Sequence, residues 1–116
     1  MFDNHFDAFG EQNIDKIMLD YTKDSILTGF DWSSGTAFEK RGVAEIRAMF
    51  SGFWEAVGKW KVMEAPHKQC TDTPFKTGFL LWAAPQNGCP QCTDTFVYDD
   101  NFKIIRQTYV GGKRSD

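Results

Sequence analysis

The chain has 116 residues, with 41% hydrophobic and 16% aromatic residues and a formal net charge of −3. That length supports one domain around one core. The acidic balance, without any basic run, argues against nucleic-acid binding. No apolar stretch approaches membrane-spanning length, and the start Met1-Phe2-Asp3-Asn4 lacks the charge and apolar pattern of a secretion signal, so a cytoplasmic, reducing setting is expected.

Phe2, His5, Phe6 and Phe9 recur at helical spacing, predicting a first helix that Gly10 ends. Asn13 is placed to cap a second helix with Ile14, Ile17, Met18 and Tyr21 on one face. A short strand from Ser25 to Thr28 and another near Ala37 to Lys40 follow, separated by the turn-rich Asp31 to Gly35. From Val43 the apolar positions Ile46, Met49, Phe50, Phe53, Trp54 and Val57 make a broad helical stripe, stopped by Gly58.

The remaining chain is rich in aromatic and β-branched residues. It divides into strands from Trp60 to Cys70, Thr77 to Ala84, Cys92 to Tyr98 and Lys103 to Val110. Helices first and a meander last predict an α+β fold: a curved antiparallel sheet of about five to six strands around three helices, enclosing a pocket. The whole of 1–116 reads as one domain, with Gly111 to Asp116 as a loose tail.

Three segments carry a family resemblance. The run Thr93-Asp94-Thr95-Phe96-Val97-Tyr98-Asp99-Asp100-Asn101-Phe102-Lys103-Ile104 resembles the closing hairpin of SnoaL-like domains. Asn13 to Ser25 and Gly42 to Phe50 are similar to the same nuclear-transport-factor-2-like superfamily, in matching order. Phe102 stands where that hairpin usually carries Gly, so Asn101 is expected to take the positive φ. The superfamily includes isomerases, cyclases, dehydratases, epoxide hydrolases, transport factors and ligand-binding proteins, so the resemblance implies a pocket and not one reaction.

Side chains alternate along a strand, placing Asp94, Phe96 and Tyr98 on one face and Thr93, Thr95 and Val97 on the other. An inward Asp among aromatic rings loses solvation and its pKa rises, suiting it to donate or accept a proton near neutrality. The resemblance puts Asp94 where ketosteroid isomerases keep a protonated Asp. It matches Tyr21 to a Tyr of that network, places His5 at an oxyanion-hole Tyr and Phe50 at another Tyr. The general-base position falls near Gly29, with Asp31 the next carboxylate. Steroid isomerisation is therefore not expected.

The candidate catalytic pair is His5 and Asp94, expected to be hydrogen-bonded to one another. Tyr21, Phe50, Trp54, Leu80, Trp82, Phe96, Gln107 and Tyr109 are the candidate ligand-binding residues, with Ile105 grouped on the face of Gln107 and Tyr109. The expected ligand is small and apolar or aromatic, and either turnover or binding alone fits these residues. Thr93, Thr95, Val97, Ile104, Thr108 and Val110 form the expected outer face, suited to homodimer formation. No cofactor and no metal site is expected. His67, Cys70, Cys89 and Cys92 have zinc-ligand chemistry, but the meander's register puts His67 roughly 16 Å from Cys92 at about 3.3 Å per residue. Cys89-Pro90-Gln91-Cys92 reads as a turn with incidental thiols that could join in a labile disulfide.

Overall fold

The computed structural model describes residues 2–114. In chain order they form α1 (Phe2–Glu11), α2 (Ile14–Met18), β1 (Tyr21–Asp31), β2 (Thr36–Arg41), α3 (Gly42–Val57), β3 (Glu64–Thr71), β4 (Thr77–Ala84), a single 3-10 turn (Pro85–Asn87), β5 (Cys89–Tyr98) and β6 (Ile104–Gly111). The strands make one sheet in the order β2-β1-β6-β5-β4-β3. The α+β class and the helix-over-sheet plan match the sequence reading. One pairing does not: β1 runs parallel to β6, so the sheet is mixed, while every other neighbour is antiparallel. Helix α3 follows the β1–β2 hairpin, and the chain returns to β1 only after the whole meander is complete.

Local chemistry sets the helix ends. The Asn13 side chain accepts from the Lys16 amide at 3.1 Å, capping α2. The Glu45 carboxylate accepts the Arg41 amide at 2.9 Å at the start of α3, and Gly58, at φ +77°, ends that helix with its amide on Trp54 O. Helix α1 runs past Gly10 to Glu11, and it is Gln12 that takes the positive φ of 55°.

Strand β1 is far longer than its predicted Ser25–Thr28 core because a bulge interrupts it. Tyr21 pairs with Ile104 but Ile26 pairs with Arg106, so extra residues loop out of the ladder. Ser25 holds this irregularity: its hydroxyl accepts from Thr22 N at 2.8 Å and donates to Ile104 O. In the closing turn Asp99 Oδ1 accepts the Asn101 and Lys103 amides, both at 2.9 Å. Phe102, not Asn101, takes the left-handed conformation, at φ +57°. Its ring rests against Tyr98, with centroids 5.9 Å apart, a contact that offsets part of the usual cost of that conformation.

Buried Ile17, Leu27, Ile46, Leu80, Trp82, Phe96 and Ile104 form the centre of the core between helices and sheet. Along β5 the burial alternates as expected, with Cys92, Asp94, Phe96 and Tyr98 inward. Strand β6 breaks that rhythm. Val97 pairs with Arg106 while Tyr98 pairs with Ile104, a bulge at Ile105. Ile104 is therefore buried and Ile105 exposed, the reverse of the predicted faces, while Gln107 stays inward.

The predicted loose tail is held as far as Arg114. Gly111 O accepts Trp32 N, the Arg114 amide donates to Gly88 O, both at 2.8 Å, and the Arg114 guanidinium lies 5.3 Å from the Trp32 ring centroid. Ser115 and Asp116 lie outside the described residues.

Candidate functional site: a cavity floored by Asp94

The inward face of the sheet can be read as rows fixed by strand register. One row runs Lys40, Leu27, Gln107, Phe96 from β2 to β5. The next runs Phe38, Gly29, Tyr109, Asp94, Leu80 from β2 to β4. A side chain at Gly29 would meet the Phe38 ring at 2.7 Å, so the missing Cβ lets that ring lean across β1. Helices α1 and α3 close over these rows with His5, Phe9, Phe50 and Phe53. Together they enclose a cavity of about 380 Å³, within the range of small-molecule sites.

At the floor, Asp94 is 6% exposed. Gln107 Nε2 donates to its Oδ1 at 2.9 Å and Trp82 Nε1 to its Oδ2 at 3.0 Å. The Tyr21 hydroxyl donates in turn to Gln107 Oε1. That bond fixes the amide orientation, leaving its nitrogen to face the carboxyl. Burial pushes the Asp94 pKa up to about 7, against the two donated hydrogen bonds that favour its charged form. Near neutrality the floor thus offers a carboxylic acid that can donate a hydrogen bond into the cavity. Beside it, the Tyr109 hydroxyl is buried without a hydrogen-bond partner, and burial holds its pKa well above the phenol range.

His5 does not complete the expected dyad. Both Asp94 oxygens are held by Gln107 and Trp82, and no hydrogen bond joins Asp94 to His5. The carboxylate facing the imidazole is that of Asp20, at 3.7 Å from Nδ1. Asp20 itself accepts from the Asn4 amide at 3.1 Å. The ring sits edge-on to Phe96 at a centroid distance of 4.9 Å, with Tyr21 and Phe50 about its rim. Burial drives its pKa down to about 3, so the imidazole is neutral. The reason lies in the packing: the turn between α2 and β1 carries Asp20 to the imidazole, while both Asp94 oxygens are engaged by side chains of the strands that flank β5.

Of the candidate residues, His5, Asp94, Phe50, Leu80, Gln107 and Tyr109 line the cavity. Tyr21, Trp54, Trp82 and Phe96 do not; they are buried behind it. Trp82 stacks edge-on against Phe9 at 4.9 Å while its indole N–H serves Asp94, so it supports the site without forming its wall. The Trp54 indole N–H is buried without a partner.

The sequence reading missed the entrance. Exposed Ala48, Gly52 and Ala56 line the cavity from α3, and Ser33, Ser34, Thr36 and Lys40 line it from the β1–β2 hairpin. The small residues recur at four-residue spacing and leave a slot between α3 and β2, where a Cβ at Gly52 would meet nothing within 4 Å. The signal was available as an Ala-Gly-Ala stripe flanking the apolar one. The site's Asp31, two residues from Gly29 on the same face, also lines the cavity, its Oδ1 accepting the Ser33 amide at 2.9 Å.

The thiols take no part in the cavity wall. Trp82 pairs with Cys92 and Ala84 with Cys89, so a bulge at Pro90-Gln91 turns both cysteines inward. All three cysteines are free. His67 pairs with Leu81, much closer to the Cys92 level than the expected 16 Å, because Cys92 lies beside Trp82 and not Ala84, and because the β3–β4 register, with its irregularity between Glu64 and His67, shifts His67 toward that level. His67 and Cys70 are nevertheless exposed while Cys89 and Cys92 are buried, which separates them across the sheet. Among the described residues no cluster of three or more His, Cys, Asp or Glu could hold a metal ion, and no helix is long and apolar enough to cross a membrane.

No family model matches the sequence, and no curated protein is similar to it. Solved structures are similar in fold. A SnoaL-like protein of unknown function from Burkholderia thailandensis superposes with a TM-score of 0.74 at 11% identity, over 95% of this chain and 90% of that one. An NTF-2-like protein of unknown function from Burkholderia xenovorans gives 0.70 at 17% identity, over 98% and 81%. The epoxide hydrolase/cyclase-like enzyme SalBIII, which has a role in pyran ring formation in the polyether salinomycin, gives 0.65 at 20% identity, over 93% and 84%. The chain therefore has the NTF-2-like, SnoaL-like α+β fold, with a mixed six-stranded sheet closed on one face by three helices.

Proposed function

We propose that this chain binds a small, largely apolar ligand that carries an oxygen acceptor, and that Asp94 meets that oxygen as a protonated acid. One observation carries the reading: a buried carboxyl at the floor of an apolar cavity, its pKa raised to about 7 and both its oxygens oriented by donors. A neutral acid in such a site can polarise a carbonyl, protonate an epoxide or alcohol oxygen, or simply recognise it. The isomerase, cyclase and lyase classes all need such a group, and the role of SalBIII in ring formation supports the cyclase class. Binding without turnover is the second reading. It is favoured by His5, whose low pKa makes it a weak base at neutral pH.

The test is binding of a neutral aromatic ketone, 2-acetonaphthone, followed by calorimetry across the pH range in which Asp94 titrates. Affinity should fall as pH rises through about 7, because ionised Asp94 no longer donates, and Asp94→Asn should abolish that dependence. A wild-type affinity that stays level across the range refutes the acid role. Loss of turnover with retained binding in the Asn variant identifies an enzyme, once a substrate is found.

We also propose a homodimer through the outer sheet face. Register aligns Phe79, Thr95, Thr108 and Thr28 in one outward row, and exposed Phe30, Val97, Ile105 and Val110 lie around it. Such a contiguous β-branched and aromatic surface is suited to sheet-on-sheet burial.

A further inference from the structure

The charges around the entrance are not evenly matched. Lys40, Lys113 and Asp31 all line the cavity. Asp31 and Lys113 share one end of it, since a Cβ at Gly112, the residue before Lys113, would fall against the Asp31 carboxylate. Lys40 belongs to the other end. Asp31 pairs with Thr36, and Lys40 lies four residues farther along β2, opposite Leu27, a separation of roughly 13 Å at about 3.3 Å per residue. The flanking charges on β2 are occupied elsewhere, Arg41 Nε holding Glu39 Oε2 at 2.7 Å on the opposite face of the strand. Lys40 is half-buried and, among the described residues, has no carboxylate partner.

A lysine held partly out of water against an apolar cavity, without a counter-ion, favours an anion that enters with an apolar body. The floor, with Asp94 protonated and His5 neutral, offers no positive charge to pair with that anion. We propose that the natural ligand is an amphipathic carboxylate whose apolar body occupies the cavity and whose anionic group pairs with Lys40 Nζ at the slot between α3 and β2. This rests on the cavity being a ligand site, and adds the ligand's charge and its orientation. An oxygen function at the far end of the body reaches Asp94; the carboxylate stays at the rim, where it remains partly hydrated.

The experiment compares two probes of one shape, 2-naphthoate and 2-acetonaphthone, by calorimetry at a pH below the Asp94 transition, on wild type, Lys40→Met and Lys113→Met. Naphthoate affinity should fall about tenfold in Lys40→Met, an effect of the size expected for one charge-assisted contact. It should weaken with added salt and stay unchanged in Lys113→Met. Ketone affinity should be the same in all three proteins. Equal responses of the two probes to Lys40→Met, or equal losses of naphthoate affinity in both lysine variants, overturn the assignment to Lys40. Ketone binding without naphthoate binding also overturns it, and leaves the cavity and its acid intact. Failure of both probes to bind removes the ligand site itself. Lys40→Gln is the check on folding: an effect present with Met and absent with Gln means lost packing, not lost charge, and also refutes the proposal.

Discussion

Asp94→Asn separates the acid at the floor from every other titrating group through the pH dependence of stability. The folded carboxyl has a pKa of about 7 against 3.8 for an Asp carboxyl in water, so across this window the native state holds a proton that the unfolded chain has released. Stability is therefore present below the unfolded value and is lost as pH rises through the folded one. From about pH 5 to about pH 8 the linkage amounts to about 3 kcal/mol, most of a full shift of this size. His5 acts in the opposite sense: its pKa, lowered from 6.5 to about 3, makes the fold lose stability as pH falls. The two effects overlap and mask each other in wild type, so the informative quantity is the difference between wild type and variant. Asn cannot ionise, and any fixed cost of rewiring Gln107 and Trp82 cancels between pH values. Urea unfolding of both proteins over this pH series should show Asp94→Asn gaining about 3 kcal/mol relative to wild type as pH rises. A difference that is constant with pH would mean that Asp94 titrates as an ordinary carboxylate, and the acid at the cavity floor would be lost with it.

Other outcomes follow from the same geometry. Gln107→Leu strands the Tyr21 hydroxyl and Asp94 Oδ1, and should cost about 2–3 kcal/mol in chemical denaturation while raising the Asp94 pKa further, since a bond to the charged form is lost. Gly52→Ala should stabilise α3 by about 0.5–1 kcal/mol, because Ala is the better helix former and its methyl meets nothing. Gly52→Phe should keep that gain in thermal melts yet block probe uptake through the slot, whereas unchanged uptake would place the entrance elsewhere. Sedimentation equilibrium at tens of micromolar should show a dimer that Thr108→Lys, in the centre of the outward row, converts to monomer; a monomeric wild type refutes the outer-face interface.

What the sequence determined by itself was whatever depends on local periodicity. The inward face of β5 is legible because alternation has a fixed period, and it brought Asp94, Phe96 and Tyr98 together correctly. The apolar stripe of α3 and the caps at Asn13 and Gly58 are local for the same reason. Bulges defeated the alternation in β6, where one extra residue exchanged Ile104 with Ile105, and in β1, where several residues leave the ladder. Partners were decided only by the tertiary fold. His5 faces Asp20 because the turn between α2 and β1 carries that carboxylate to the imidazole, and Asp94 is satisfied by Gln107 and Trp82 because β6 and β4 flank β5. Nothing in the spacing of residues 5, 20 and 94 encodes those distances. The same holds for the cavity's rim: Lys40 and the Ala48, Gly52, Ala56 slot acquire meaning only when β2 and α3 are set side by side, since each is an unremarkable exposed surface when read alone.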